Sequence, residues 1–242
     1  MNREFEFGKD IFLKTKKDTP ADFSENIKPF GAVCDYSTGI EFGKDLIDFF
    51  KKNDFTLLDL GTSTGTVPFT MRQLGIKSIG LEGSINPKKY KLGAWKDYPE
   101  IVENADISQE FQIVDNENEI IKFDFITGME VFEHIEENKL PMVFQNIKNH
   151  LSKNGYCIAS IFPNTCPVGY NDLKQQYNRL GLDIQLEPFD GMVDFYHKTI
   201  KPEAWWDEIL SKYFIIDNNI KIVRNWRYPR HSYMVWLKHK NI

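Results

Sequence analysis

Leu57-Leu58-Asp59-Leu60-Gly61-Thr62-Ser63-Thr64-Gly65-Thr66-Val67-Pro68 is the stretch whose reading decides the fold. Phe55 to Leu60 is a short apolar run of the kind that forms a buried strand. Gly61 and Gly65 break that run, and Thr66 to Gln73 can follow as a helix. Strand, glycine turn and helix start together make a cradle of nucleotide size. Glycine lets backbone approach a ligand closely, and a helix start presents N–H groups that have no intrahelical partner. Thr62 and Ser63 stand inside the turn. Asp59, at the strand's end, can accept from an ammonium or a hydroxyl. The spacing differs from the dinucleotide fingerprint G-x-G-x-x-G, whose second glycine would fall on Ser63.

Downstream, Lys77-Ser78-Ile79-Gly80-Leu81 reads as a second strand ending at Glu82, 17 residues after Gly65. That interval holds one helix and a return strand. An acid there faces the crevice at the carboxyl ends of a parallel sheet, where it can bind both hydroxyls of a ribose. Asn86 to Tyr98 is polar and partly helical. The third strand is poorly marked: it precedes Asp106, or it is Phe111-Gln112-Ile113-Val114. Ile120 to Thr127 is the next strand, opening into Gly128-Met129-Glu130-Val131-Phe132-Glu133-His134-Ile135. Leu140, Val143, Phe144, Ile147 and Leu151 then recur at helical spacing, with Asn154-Gly155 as the stop and Tyr156 to Phe162 as a further strand. Strands alternating with helices over short links predict a doubly wound, mainly parallel sheet.

The flanks carry less pattern. Met1 to Asp35 has little periodicity, while Ile40, Phe42, Leu46, Ile47, Phe49 and Phe50 predict a helix ending near Lys51-Lys52-Asn53. Asp35-Tyr36-Ser37-Thr38 either reaches a ligand, with Tyr36 as a substrate contact, or caps that helix. Residues 163–200, punctuated by Pro167, Gly169, Gly181, Pro188 and Gly191 and rich in aromatics, read as a folded insertion that covers a pocket. Pro202 starts a helix over Glu203 to Lys212, and Tyr213–Ile216 and His231–Leu237 are the last two strands. The expected division is an N-terminal cap and helix over 1–54, then one domain over 55–242 that contains the 163–200 cover.

Composition sets the class. Apolar residues make up 41% and charged residues 27% of 242, with 19 Phe, 10 Tyr and 5 Trp to build a core and line a pocket. The net charge of −5 argues against a surface that tracks nucleic-acid backbone. No run approaches 18 consecutive apolar residues, so a membrane span is not expected. Cys34, Cys157 and Cys166 share no C-x-x-C spacing and are odd in number, which predicts free thiols and a cytoplasmic protein. Oligomeric state is not written in these residues, and a homodimer is left open.

Asp59-Leu60-Gly61-Thr62-Ser63-Thr64-Gly65 resembles the first motif of class I S-adenosylmethionine (SAM) methyltransferases, [DE]-x-G-x-G-x-G, with Ser63 in place of the middle glycine. Phe123-Asp124-Phe125-Ile126-Thr127-Gly128-Met129-Glu130-Val131-Phe132-Glu133-His134-Ile135 looks like the fourth-motif region of a subgroup reading FDxIxxxEVxEHI, whose members often act on small molecules, lipids or sugars. The resemblance covers roughly residues 54–162. It implies a Rossmann-like doubly wound α/β fold with a seven-stranded, mainly parallel sheet, its last strand antiparallel and helices on both faces. It implies SAM as cofactor and S-adenosylhomocysteine as product. Cofactor contacts then fall to Asp59, Gly61, Thr62, Ser63 and Gly65, to Glu82 at the ribose, to Asp106 and Ile107 at the adenine, and to Met129 and Glu130.

SAM carries its own activated methyl group, so the protein mainly positions the acceptor. A hydroxyl acceptor needs a base as well. His134, after the fourth strand, is that base or a pocket wall; Glu133 is an alternative base or an orienting carboxylate. His197, with Asp194 and Tyr196 beside it, is a second base or merely packs near the helix after Pro202. Arg224, Arg227 and Arg230 between aromatics either grip a phosphate or form a charged loop, and Arg227 and Arg230 are carried as substrate contacts. Scattered histidines give no metal-ligand spacing, so no metal is expected. The expected acceptor is a small hydroxylated molecule, a sugar or nucleotide-diphosphate sugar of a bacterial capsular polysaccharide. Action on RNA or protein, or a non-catalytic binding subunit, is the alternative.

Overall fold

The computed structural model describes residues 11–15, 36–51, 54–162, 198–220 and 233–240. Its centre is a seven-stranded sheet. The strands of the Sequence analysis appear as β2 (Thr56–Leu60), β3 (Lys77–Glu82), β6 (Phe123–Met129), β7 (Leu151–Ile161), β8 (Phe214–Ile216) and β9 (Tyr233–His239), joined by β4 (Val102–Asn104). Their order is β4-β3-β2-β6-β7-β9-β8. Contacts from β4 through β7 are parallel, and β9 runs antiparallel to both neighbours. The Rossmann-like α/β fold expected from the sequence is the one observed, with the last strand reversed.

The third strand resolves in favour of the position before Asp106. Val102–Asn104 pairs with β3, whereas β5 (Phe111–Val114) pairs antiparallel with β1 (Phe12–Thr15) in a separate two-stranded sheet. Three residues are too few to show a period, so spacing alone left both positions open. Two boundaries also move. The helix expected to run to Asn154-Gly155 ends at His150, and β7 begins at Leu151; β6 begins at Phe123, with Ile120 making an isolated bridge to Val114.

Helices cover both faces of the sheet. Alternation along the strands sends Leu57, Phe125, Ile158 and Trp236 to one face, where they pack on Phe42 and Leu46 of α1 (Tyr36–Phe50) and Met71 of α2 (Thr66–Gln73). Leu58, Ile126, Cys157 and Leu237 point to the other face. There they meet Val143, Phe144 and Ile147 from α5 (Leu140–His150) and Trp206 and Leu210 from α6 (Glu203–Tyr213). The short helices α3 (Asn86–Lys89) and α4 (Ala94–Asp97) lie between β3 and β4, and Trp95 with Val102 forms a small third cluster there. His150 is part of this scaffold. Its ring stacks on Phe111, Nε2 accepts from the Ile113 amide at 2.9 Å, and burial pushes its pKa down to about 4.

Candidate active site at the carboxyl ends of the central strands

Chain reversal in the parallel strand order puts the ends of β2, β3, β4 and β6 beside one crevice. The β2–α2 turn is built on left-handed backbone at Gly61 (φ 70°), Ser63 (φ 52°) and Gly65 (φ 78°). Both glycines are also demanded by packing. A Cβ on Gly61 would stand 2.5 Å from Val131 Cγ2, and one on Gly65 would stand 2.6 Å from Ala94 Cβ. The serine in place of the usual middle glycine therefore occupies a conformation that glycine adopts without strain. Among the described residues no side chain caps the first turn of α2.

Glu82 holds this turn. Its Oε2 accepts from the Ser63 amide at 2.7 Å and its Oε1 from the Ser84 amide at 2.8 Å. Burial raises its pKa, and those amide bonds oppose the rise. The amides of Gly61 and Thr62 donate to the Leu81 carbonyl at 2.8 and 2.9 Å, locking the turn to β3 from the other side. Gly80 makes room for this, because a Cβ there would meet Thr62 Oγ1 at 2.5 Å.

Asp59 is 3% exposed, and Thr127 Oγ1 from β6 donates to its Oδ1 at 2.5 Å. Burial pushes its pKa up to about 6 against the Thr127 and Thr62 hydroxyls, with Glu82 adding to the rise. Asp106 follows β4, and its Oδ1 accepts from the Ser108 amide and hydroxyl at 3.0 and 2.7 Å. Ile107 beside it is buried, and its carbonyl accepts from Asn146 Nδ2 at 3.0 Å.

The exit from β6 forms the opposite wall. Met129 is half-buried and ends the strand. Glu130 has left-handed backbone (φ 53°), and its amide is held by both the hydroxyl and the carbonyl of Ser160 at 2.9 Å. Phe132–His134 is a 3₁₀ turn in which Glu133 is fully buried and His134 half-buried. Thus the structure brings Asp59, Gly61, Thr62, Ser63, Gly65, Glu82, Asp106, Ile107, Met129, Glu130, Glu133 and His134 to the same edge of the sheet. Tyr36 opens α1, but its side chain, like residues Asp194, Tyr196, His197, Arg227 and Arg230 and most of 163–200, lies outside the described part.

Four residues of this edge escape a reading of the sequence. Trp95 Nε1 donates to the Ser63 carbonyl at 2.8 Å, and Asn104 Nδ2 ties the carbonyls of Glu82 and Ser84 at 3.0 and 2.7 Å. Thr127 and Ser160 grip Asp59 and Glu130. A hydroxyl inside an otherwise apolar strand was the available signal for the last two, since a buried hydroxyl needs a partner. Trp95 and Asn104 carry no such mark.

Residues 15–205 match the family model of a methyltransferase domain, so the chain belongs to that family. Its fold is shared with solved methyltransferases of low identity. A SAM-dependent methyltransferase from Clostridium acetobutylicum is 16% identical, with 85% of this chain and 92% of that one covered and a TM-score of 0.54. The glycopeptide N-methyltransferase MtfA in complex with sinefungin is 12% identical over 88% and 99% of the two chains, TM-score 0.54. The mitomycin 7-O-methyltransferase MmcR is 10% identical over 85% of this chain and 54% of its own, TM-score 0.54. No curated protein matches in sequence.

SAM is the cofactor of this methyltransferase. The residues present fit it. Buried Ser63 Oγ, Asn104 Oδ1 and Glu130 Oε1 have no partner among the described residues, so polar groups around the crevice remain to be satisfied. Among the described residues no cluster of three or more His, Cys, Asp or Glu side chains could hold a metal, and no helix is long and apolar enough to cross a membrane.

Proposed function

We propose that this methyltransferase acts on a hydroxyl of a small polar acceptor, a sugar or nucleotide-diphosphate sugar of a bacterial capsular polysaccharide first among them. The observation that carries the reading is the β6 exit turn. Its Glu130-Val131-Phe132-Glu133-His134-Ile135 sequence, similar to that of small-molecule enzymes, lies against the glycine turn through Val131 and Gly61. In this reading Asp59 and the Gly61–Gly65 turn hold the amino-acid end of SAM, Glu82 its ribose, and Asp106 with Ile107 its adenine. The bound cofactor supplies an electrophilic methyl group on a sulfonium.

The chain's own residues then do two things. The turn and its acids fix the position of the methyl group, and His134, half-buried after β6, takes the acceptor's proton. The 163–200 stretch with Asp194, Tyr196 and His197, the arginines 227 and 230, and Tyr36 are proposed to bind the acceptor. The net charge of −5 favours a small molecule over RNA.

The test is transfer of a labelled methyl group from SAM to a panel of nucleotide sugars, RNA and peptides. Label on a nucleotide sugar is the expected result; label on RNA or peptide alone overturns the acceptor assignment. His134→Ala is expected to lower turnover roughly 10²–10⁴-fold with SAM affinity nearly intact.

A further inference from the structure

Of the turn's left-handed residues, Gly61, Ser63 and Gly65, Ser63 alone is not glycine, at φ 52°. A side chain is strained in that conformation, and short polar side chains offset the strain by bonding to nearby backbone. The Ser63 hydroxyl does not do so: it is buried and has no partner among the described residues. The conformation is therefore kept by whatever holds the peptide planes on either side of the Ser63 Cα.

The preceding plane is held from β3, since the Ser63 amide donates to Glu82 Oε2 at 2.7 Å. The following plane is held from α4, since Trp95 Nε1 donates to the Ser63 carbonyl at 2.8 Å. One residue further on, the Thr64 carbonyl accepts from the Ala94 amide at 2.9 Å. Gly93 permits this approach, because a Cβ there would collide with the Thr64 carbonyl. The carbonyls of Ser63 and Thr64 thus rest on α4, while the amides of Gly61, Thr62 and Ser63 are held by β3.

Trp95 is 6% exposed, and its ring packs with Ala94, Ile101 and Val102, with Phe69 of α2 against them. Burying a tryptophan does not by itself bring its N–H to a carbonyl in this protein. Trp206 and Trp236 are as deeply buried, and their Nε1 atoms have no partner among the described residues. A phenylalanine at 95 would keep a ring in the cluster and lose only the donor.

We propose that Trp95 is a positioning residue for SAM: its indole N–H fixes the Ser63 carbonyl, so that a serine holds the left-handed turn that glycine adopts freely. It acts through Ser63, whose amide is bonded to the Glu82 carboxylate, and so bears on both the amino-acid end and the ribose of the cofactor. This rests on the proposed placement of SAM at that turn and at Glu82. Ser63 and Trp95 are then a coupled pair, because the donor matters most where the backbone is strained.

Calorimetric titration of SAM into folded Trp95→Phe, alone and combined with Ser63→Gly, tests the coupling. Trp95→Phe should raise the dissociation constant about three- to tenfold, the loss of one hydrogen bond, but less than about twofold in the Ser63→Gly background. Ile101→Val thins the same cluster without touching the donor and should leave affinity within about twofold of wild type. An equal loss in both backgrounds overturns the proposal, and so does an equal loss in Ile101→Val. Wild-type affinity in Trp95→Phe overturns it too. Glu82→Ala then separates the two readings, since affinity lost there leaves the placement of the cofactor standing. Should Trp95→Phe not fold, indole hydrogen exchange in wild type decides. By linkage, SAM should slow exchange of the Trp95 N–H about fivefold more than that of Trp206. Equal slowing at both overturns the proposal.

Discussion

The same residue pair stands at the two ends of β2 and β6, with the strands exchanged. At the lower end Asp124 on β6 meets Thr56 on β2; at the upper end Asp59 on β2 meets Thr127 on β6. The lower carboxylate is well supplied. Its Oδ2 accepts from the Thr56 amide and hydroxyl at 3.1 and 3.3 Å, and the Asp124 amide donates back to the Thr56 hydroxyl at 3.1 Å. The upper one is buried on one short hydroxyl bond, and its pKa is pushed up to about 6. Residue type does not separate the scaffold acid from the candidate-site acid. The difference is deeper burial with fewer donors, at the end of the sheet where helices begin.

The largest expected effect is on stability. A carboxyl whose folded pKa exceeds its unfolded value binds its proton more tightly when folded. Its stabilising contribution is complete below the unfolded pKa and is lost as pH rises through the folded one. For Asp59, raised from 3.8 to about 6 chiefly by burial, the window runs from about pH 4 to 6 and the loss is about 3 kcal/mol. Asp59→Asn should flatten that part of the ligand-free stability curve, measured by urea unfolding at several pH values. Asp124→Asn should leave the slope in place; equal slopes in wild type and Asp59→Asn would break the comparison.

Next in size is Asp124→Ala, which removes an acceptor that pins the start of β2. We expect a loss of about 1–3 kcal/mol in stability and an unchanged SAM dissociation constant in the folded protein. An altered dissociation constant would make the lower pair part of the site. The smallest effect is at Ser63. Replacing it with glycine relieves left-handed backbone at φ 52° but raises the entropy of the unfolded chain, for a net gain of about 0.5 kcal/mol. Thermal unfolding checks the sign, and a loss of stability would show that the Ser63 hydroxyl contributes more than the strain costs.

These two ends also show what can be read before the structure. The glycine turn, the acid that closes β3 and the alternation of strands with helices are local patterns, so the places of Asp59, Gly61, Gly65 and Glu82 in the fold are legible from spacing. The pairing of β1 with β5 is not, because it joins Phe12 to Val114 across the chain and leaves no local mark. Nor does spacing reveal that Glu133 is fully buried while His134 beside it is half-buried: neighbours in a 3₁₀ turn point different ways. The support of Ser63 by Trp95 is equally non-local. The acids announce themselves, and the donors that decide their roles do not.

The most direct measurement is a calorimetric titration of SAM into wild type, Glu82→Ala and Asp124→Ala. Placing the cofactor at the carboxyl ends of β2, β3 and β6 predicts a binding heat in wild type. Affinity should fall by about 1–3 kcal/mol in Glu82→Ala, the range for losing charge-assisted hydrogen bonds, and not at all in Asp124→Ala. The same dissociation constant in all three folded proteins would contradict it.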